Sequence, residues 1–185
     1  MAMLLTPKPH LWATPPPSCD KACYQGSWDR KYWKNIPGPY YSTTENMMSL
    51  LASNGSTEYL LYDDQCEFVW RQPTTPNTYS RCLRAMWCDE VGSYAVDGNE
   101  HWTADLIRGW WQRRPELLAW ATAHQKRPRD DPHAFMQGYD DATDRILLNK
   151  YIRYLQEDSE EYLRSYVFLL LEGRAAKPGD FLPGL

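Results

Sequence analysis

A segment at 97–102, which reads Asp-Gly-Asn-Glu-His-Trp, holds the most enzyme-like combination of side chains in the sequence. A carboxylate close to an imidazole in a loop is typical of acid–base pairs, so Asp97, Glu100 and His101 would suit a hydrolase. The same residues also fit a turn that leads into a helix capped by Thr103, without any chemistry. The residue types leave both interpretations open, and we expect the turn, with no catalytic residue in the chain.

The cysteines do not have the spacing of a metal site. Cys19 and Cys23 follow His10, but the second close pair that would complete a zinc site is missing. Cys82 and Cys88 lie on different faces of a predicted helix, and an iron–sulfur cluster would need four thiolates in closely spaced groups. We therefore expect no metal and no other cofactor. The odd, irregular set of 5 cysteines suits reduced thiols in a cytoplasm.

Other catalytic patterns are missing from the sequence. It contains no Gly-rich phosphate loop, no Gly-x-Ser-x-Gly elbow and no His-Glu-x-x-His helix. The carboxylate pairs at 140–141 and 160–161 fall in the first turns of predicted helices, where the helix dipole favours negative charge. His124 and His133 lie in or near a basic loop, where a solvated histidine is the usual interpretation.

The charge pattern argues against nucleic-acid binding. The formal net charge is −4, whereas nucleic-acid binding relies on basic residues that neutralise phosphates. The region 108–129 is mainly basic and the region 130–172 mainly acidic. The acidic part favours a basic partner, although solvated helix faces give the same pattern.

The N-terminus predicts neither a signal peptide nor a membrane anchor. Its apolar patch, Met3-Leu4-Leu5, is interrupted at once by Pro7 and Pro9. No stretch of the sequence reaches the apolar length that crosses a bilayer. We therefore expect a protein of the cytoplasm without membrane contact.

The pattern of hydrophobic residues predicts an α+β fold in a single domain at 1–185. Two runs within 58–71 predict a β-hairpin, and 93–96 predicts a third strand of the same small antiparallel sheet. Several helices should pack against the sheet, the last two against the hairpin, since neither element buries its apolar side alone. An irregular arm rich in proline and aromatic residues, at 1–41, should pack on the core at 42–175, and 176–185 should be an irregular tail.

Helix-start and helix-stop signals locate the helices. Thr75 and Pro76 predict the cap and first residue of one helix, and Thr103 predicts the cap of another that Pro115 interrupts. The second helix should carry Leu106, Ile107, Trp110 and Trp111 on one side. The remaining expectations are a short helix at 43–52, a polar loop at 126–131, and helices at 140–157 and 159–172, the last ended by Gly173.

Several sequence blocks together resemble a bacterial family of small immunity proteins encoded beside polymorphic toxin genes of the Rhs or secreted type. The blocks lie at 28–41, 62–64 with 68–73, 94–103, 110–111 and 166–174. The similarity covers most of the chain from about Ser27 onward, and the region between Tyr41 and Tyr59 departs from the family pattern. The family has no catalytic motif to transfer to this chain.

The resemblance implies a role in interbacterial competition, including systems that use type VI secretion. Such a protein would bind one cognate toxin stoichiometrically, at or near its active site, in the bacterial cytoplasm. An acidic surface suits a toxin with a basic active-site cleft. The alternatives are a hydrolase-type enzyme that reverses a toxin's modification and a scaffold protein unrelated to toxins.

The interface is predicted to use acidic residues in turns, where side chains project, together with nearby tryptophans. The predicted set is Asp63, Asp64, Trp70, Asp97, Glu100 and Trp102. The unusual abundance of Trp, 9, and Tyr, 13, against 4 Phe favours half-buried or partner-contacting aromatic rings. The alternative for these residues is that the tryptophans fill the core and the acids only occupy turns.

Overall fold

The chain has an α+β fold, as the sequence predicts. A computed structural model describes residues 24–45, 57–63, 65–89, 92–126 and 141–185, without the side chains of 141–144. In this part short strands precede or alternate with helices, and long helices dominate the C-terminal half. The predicted helix at 43–52 and the loop at 126–131 lie largely outside the described residues.

The predicted hairpin is confirmed. Strands β2 (Leu60–Tyr62) and β3 (Glu67–Val69) pair antiparallel. The connecting turn is stabilised by Asp63, whose Oδ1 accepts hydrogen bonds from the backbone N–H groups of Cys66 at 2.9 Å and Gln65 at 3.1 Å. Aspartate is favoured in turns because its side chain can satisfy nearby backbone donors in this way.

The third predicted strand forms, but it pairs outside the hairpin. Strand β4 (Tyr94–Ala95) pairs antiparallel with β1 (Tyr41–Ser42), so the described residues form two two-stranded sheets instead of the single sheet we expected. The partner strand comes from the end of the arm, where the high proline content predicted irregular backbone. The Ser42 hydroxyl donates a 2.6 Å hydrogen bond to the Glu67 carbonyl oxygen and thereby links the two sheets.

Between the short 3-10 helix at Trp28–Arg30 and strand β1, the arm is largely irregular and runs through the core. Asn35, which is fully buried, connects it to both sheets. Its Oδ1 accepts from the backbone N–H groups of Ser42 at 3.0 Å and Val69 at 2.8 Å, and its Nδ2 donates to the Tyr32 carbonyl at 2.6 Å. The buried amide therefore satisfies backbone groups that have no strand partner, which buried polar groups require.

The helix-start signals are confirmed in the middle of the chain. Helix α1 (Pro76–Trp87) has a capping box formed by Thr75 and Thr78. The four-residue helix α2 (Gly98–His101) leads to α3 (Ala104–Gln112), which Thr103 caps, and α4 begins beside Pro115 (Arg114–Gln125). Of the apolar residues predicted on one side of α3, Ile107 and Trp110 are buried, whereas Leu106 is 48% exposed.

The last two helices are joined by a π-helical turn. Helix α5 (Asp141–Arg153) continues through the turn Tyr154–Asp158 into α6 (Ser159–Glu172), and Gly173 ends α6 with a left-handed φ of 65°. The hairpin packs on α5 and on the turn, since Trp70 makes edge-to-face contacts with Tyr151 and Tyr154 at 5.9 and 5.6 Å. Helix α6 contacts the arm, where the Tyr162 hydroxyl donates to the Pro37 carbonyl at 2.7 Å.

The tail lies across α6 without regular structure. Leu182 is buried, and Arg164 donates to the carbonyl oxygens of Leu182 at 2.9 Å and Pro183 at 2.8 Å. None of the described helices combines the length and the apolar character needed to cross a membrane.

Candidate functional site

The segment singled out at 97–102 is held against the arm by Gly98. The Gly98 N–H donates to the Pro39 carbonyl at 3.0 Å, and a Cβ at position 98 would lie 2.1 Å from the Gly38 carbonyl oxygen. Only glycine therefore permits this approach between two backbones. The contact fixes the position of α2 and of the side chains that it carries.

Asp97 and His101 form the carboxylate–imidazole pair that the sequence suggested. They are four residues apart across α2, and His101 Nε2 lies 3.3 Å from Asp97 Oδ2. The other carboxylate oxygen, Oδ1, accepts a 2.8 Å hydrogen bond from the Tyr41 hydroxyl. Tyrosine, carboxylate and imidazole thus form a short hydrogen-bonded chain between β1 and α2.

Trp28 covers this chain with its indole ring. The ring stacks on His101, with centroids 4.9 Å apart and planes 16° apart, and it meets Tyr41 and Trp102 edge to face at 5.4 and 5.1 Å. Trp28 is half-buried and belongs to a short 3-10 helix, Trp28–Arg30. Aromatic rings held in this way form a rigid surface with little conformational entropy to lose on binding.

One carboxylate, that of Asp97, accepts a hydrogen bond from the Tyr41 hydroxyl, and the charges of two more act on it. Burial, the hydrogen bond to Asp97, and the negative charges of Asp97, Asp29 and Glu100 together raise the pKa of Tyr41 far above its ordinary value. Asp29 and Glu100 are exposed, and Asp97 is partly exposed. We call the surface formed by Trp28, Asp29, Asp97, Glu100 and His101 the acid–aromatic face.

Cations lie at the edge of this face. The Lys31 ammonium is 5.0 Å from the Trp28 ring centroid and 4.7 Å from that of Trp102. Burial and, to a smaller extent, the charge of Arg113 lower the pKa of Lys31 to about 8. The Arg113 guanidinium stacks on Trp33 at 3.8 Å. The surroundings of the predicted acidic anchors are therefore mixed in charge.

Asp63 does not project from its turn as we expected. Its side chain is almost completely buried and forms an ion pair with the equally buried Lys34, while Tyr32 donates to the same oxygen. The Lys34 ammonium also lies 3.9 Å from the Trp120 ring centroid. One oxygen of this carboxylate accepts from the backbone of the hairpin turn, and the other pairs with a buried cation. Asp63 therefore stabilises the core. Asp64 lies outside the described residues.

The two predicted tryptophan anchors are mainly core residues. Trp70 is 3% exposed, and its indole N–H donates to the Thr57 carbonyl at 3.1 Å. Trp102 is 6% exposed, and its ring packs edge to face against that of Trp28. Of the predicted interface residues, the structure brings Asp97, Glu100 and Trp102 together and places Asp63 and Trp70 in the core beneath the hairpin.

The other cysteine, histidine and carboxylate residues that the sequence analysis considered make ordinary structural contacts where they are described. Cys82 is buried, which raises the pKa of its thiol, and Cys88, the C-cap residue of α1, is exposed. His124 Nδ1 lies 2.9 Å from the Trp120 carbonyl oxygen, and Glu160 pairs with Arg164 at 3.7 Å. Within the described ranges no group of His, Cys, Asp or Glu side chains has the geometry to hold a metal. His10, Cys19, Cys23, His133 and Asp140 lie outside those ranges.

The sequence did not reveal several members of the site. Trp28, Asp29, Lys31 and Tyr41 come from the arm, and Arg113 from the junction of α3 and α4. Their proximity depends on how the arm packs, which no local pattern encodes. The pairing of Asp97 with His101 had a local signal in its four-residue spacing, which becomes meaningful once 98–101 is recognised as helical.

Comparisons with protein-family models, with curated proteins and with solved structures found no match. The similarity to immunity proteins therefore stays a prediction.

Proposed function

We propose that this chain is an immunity-type protein that binds one cognate bacterial toxin stoichiometrically, at or near the toxin's active site. The observation that supports the proposal is the acid–aromatic face, in which Trp28 stacks on His101, Asp97 pairs with His101, and the charges of Asp29 and Glu100 act on the neighbouring Tyr41 hydroxyl. The proposed location is the bacterial cytoplasm, where such an inhibitor protects the cell that makes it.

The composition of this face suits protein recognition. Binding energy at interfaces concentrates in a few aromatic and charged anchors that are already held in place. Trp28 is held by His101, Tyr41 and Trp102, and Asp97 is held by two hydrogen bonds. Carboxylates beside a rigid indole would meet the basic cleft of a toxin that acts on nucleic acids or nucleotides, and complementary charge raises association rates.

The proposed anchors differ from those that the sequence predicted. Asp97 and Glu100 remain, Asp29 and Trp28 join them, and Trp102 acts as a support beneath Trp28. Asp63 and Trp70 are not available to a partner, because their side chains are buried.

A second candidate function is a hydrolase-type enzyme that reverses a toxin's modification. The observation that favours it is the Tyr41–Asp97–His101 hydrogen-bonded chain. A carboxylate that orients a partly exposed imidazole is the arrangement by which histidine acts as a general base. In this function His101 would accept a proton from water, Asp97 would orient its ring, and Glu100 would contact the substrate.

A co-expression survival assay with the toxin encoded beside this gene separates the two functions. For binding, we expect protection to require about one protein per toxin and Asp29→Lys with Glu100→Lys to weaken the complex at least about tenfold. Glu172→Lys, an exposed charge reversal at the end of α6, is the matched control. Intact protection and an intact complex in the stable double variant would refute the acid–aromatic interface.

Stoichiometry and His101 decide between binding and catalysis. Protection at far less than one protein per toxin, abolished by His101→Gln, would replace the inhibitor with an enzyme. Protection at one to one that survives His101→Gln favours binding alone. A purified toxin that neither binds this chain nor is affected by it would favour the scaffold alternative.

A further inference from the structure

Three consecutive carbonyl oxygens of the tail accept hydrogen bonds from arginines of two helices. Arg164 of α6 donates from Nη2 to the Leu182 oxygen at 2.9 Å and from Nε to the Pro183 oxygen at 2.8 Å. Arg108 of α3 donates from Nε to the Gly184 oxygen at 3.2 Å. The tail thus contacts both α3 and α6. Because the acceptors are main-chain oxygens, these bonds do not depend on the side chains of the tail.

Both arginines are positioned by carboxylates of their own helices. Arg108 Nη1 donates to Asp105 Oδ1 at 3.0 Å, and Arg164 Nη1 lies 3.7 Å from Glu160 Oε1. The other guanidinium nitrogens face the tail, and hydrogen bonds from a charged donor are stronger than those between neutral groups. Together the two side chains form a prearranged set of donors for the main chain of an extended peptide.

Burial along the tail repeats every three residues. Leu182 is buried and Leu185 packs against the core, whereas Phe181 and Gly184 are exposed. A polyproline II segment has three residues per turn, so residues three apart lie on the same edge. Pro183 favours this conformation for itself and for the residue before it. The pattern indicates an extended segment that turns two leucines toward the helices.

The connection between α6 and the tail is largely exposed and contains two glycines with positive φ. These are Gly173 at 65° and Gly179 at 95°. The two ends of the connection are joined by the ion pair of Arg174 with Asp180 at 2.7 Å, a solvent-accessible pair of the kind that contributes little to stability. With few apolar contacts to hold it, we expect the tail to detach while the helices stay folded.

We propose that the groove between α3 and α6, lined by Arg108 and Arg164, binds an extended segment of the type Leu-Pro-x-Leu from a partner protein, and that the tail occupies this groove as an internal ligand. A partner segment of this type would offer the same three carbonyl oxygens and the same two apolar side chains. The attached tail competes with it, because attachment gives the tail a high local concentration. The groove uses no residue of the acid–aromatic face, so this proposal does not rest on toxin binding.

Fluorescence anisotropy with a labelled, C-terminally amidated peptide of sequence 180–185 tests the proposal. The titrant is the full chain, as wild type and with Leu182→Asp, which places a charge where the tail buries a leucine. We expect saturable binding to this variant and at least about tenfold weaker apparent binding to the wild type, since the attached tail competes. Leu182→Ala, a milder change, should give an intermediate affinity. Circular dichroism verifies that both variants are folded.

Further substitutions locate the binding site. Adding Arg108→Met and Arg164→Met to the Leu182→Asp chain should weaken peptide binding about tenfold or more, because the donors are lost. Adding Arg153→Met instead removes an exposed cation of α5 and should leave binding unchanged. In the peptide, Leu182→Asp should abolish binding, whereas Phe181→Ala should not change it, because Phe181 is 78% exposed.

Three outcomes would overturn the proposal. The first is an absence of saturable binding to both folded Leu182 variants. The second is binding that survives loss of Arg108 and Arg164. The third, measured by analytical ultracentrifugation, is a wild-type dimer that the peptide dissociates, which would assign the groove to the tail of a second copy instead of a partner protein.

Discussion

The Tyr41 hydroxyl donates a 2.8 Å hydrogen bond to Asp97 Oδ1 and so joins strand β1 to the start of helix α2. The second oxygen of the same carboxylate faces His101. Asp97 thus has a neighbour for each oxygen, and both neighbours contact the Trp28 ring. The acid–aromatic face therefore depends on one carboxylate that links the arm to the helical part of the chain.

Tyr41→Phe should lower the free energy of unfolding by about 1–2 kcal/mol, because it removes a hydrogen bond to a charged, partly exposed acceptor. The ring of Tyr41 is fully buried, and phenylalanine keeps its packing. Tyr151→Phe is the control, since the buried Tyr151 hydroxyl has no hydrogen-bond partner among the described residues. Urea denaturation should show little loss for the control, and equal losses in both variants would contradict the role of the Asp97 contact.

Asp63→Asn should cost about 3–5 kcal/mol, because it leaves the Lys34 ammonium buried without its counterion. Tyr32 and Lys34 both donate to the same oxygen of Asp63. In asparagine an NH2 group, which is itself a donor, would take the place of that acceptor oxygen. Asp105→Asn removes one member of an exposed pair with Arg108 and should change stability by less than about 1 kcal/mol. A similar, small effect of both substitutions on the urea midpoint would rule out a structural role for the buried pair. The double variant Lys34→Met/Asp63→Asn should recover part of the loss.

Elements with local signals were predictable from the sequence. Thr75 followed by Pro76 specifies the start of α1 through contacts within four residues, and the hairpin has its strands and turn within 58–71. The pairing of β1 with β4 was not predictable, because Tyr41 and Tyr94 come together only when the arm enters the core.

The candidate site was predictable only in part for the same physical reason. Asp97, Glu100 and His101 could be identified from the sequence, because their residue types occur together in one short segment. The burial of Asp63 could not, because it depends on pairing with Lys34 from the arm. Tryptophan suits either a core or an interface. Trp70 packs against Tyr151 and Tyr154 from a distant helix and turn, which decides its burial.

Stability should fall steeply above pH 10 because the core contains buried tyrosines. Burial raises the pKa of Tyr79 to about 12 and the pKa values of Tyr151 and Tyr162 well above their ordinary range. An unfolded tyrosine ionises near pH 10, so above that pH the unfolded chain releases protons that the folded chain keeps. The free energy of unfolding is therefore constant with respect to these groups below pH 10 and decreases above it.

Tyrosinate absorbance at 295 nm and far-ultraviolet circular dichroism measure this dependence together. The buried tyrosines should ionise in the same transition in which helical structure is lost. A titration in concentrated urea supplies the control, in which all tyrosines should ionise near pH 10. Complete ionisation near pH 10 with unchanged circular dichroism would show that the tyrosines are accessible in the folded protein.

Gly98→Ala should destabilise the chain by about 3 kcal/mol, because the new Cβ would lie 2.1 Å from the Gly38 carbonyl oxygen and 3.0 Å from that of Pro39. Both neighbours are backbone atoms, so relief requires α2 to move away and to lose the Gly98 N–H to Pro39 hydrogen bond. Gly109→Ala is the matched control, since a Cβ there meets nothing within 4 Å and removes a flexible residue from α3. That control should stabilise the chain by about 0.5–1 kcal/mol. In NMR spectra, Gly98→Ala should also reduce the ring-current shift that Trp28 imposes on His101, and Gly109→Ala should preserve it. If Gly98→Ala matched the control in urea denaturation and in the His101 shift, the close contact between α2 and the arm could not be what positions the acid–aromatic face.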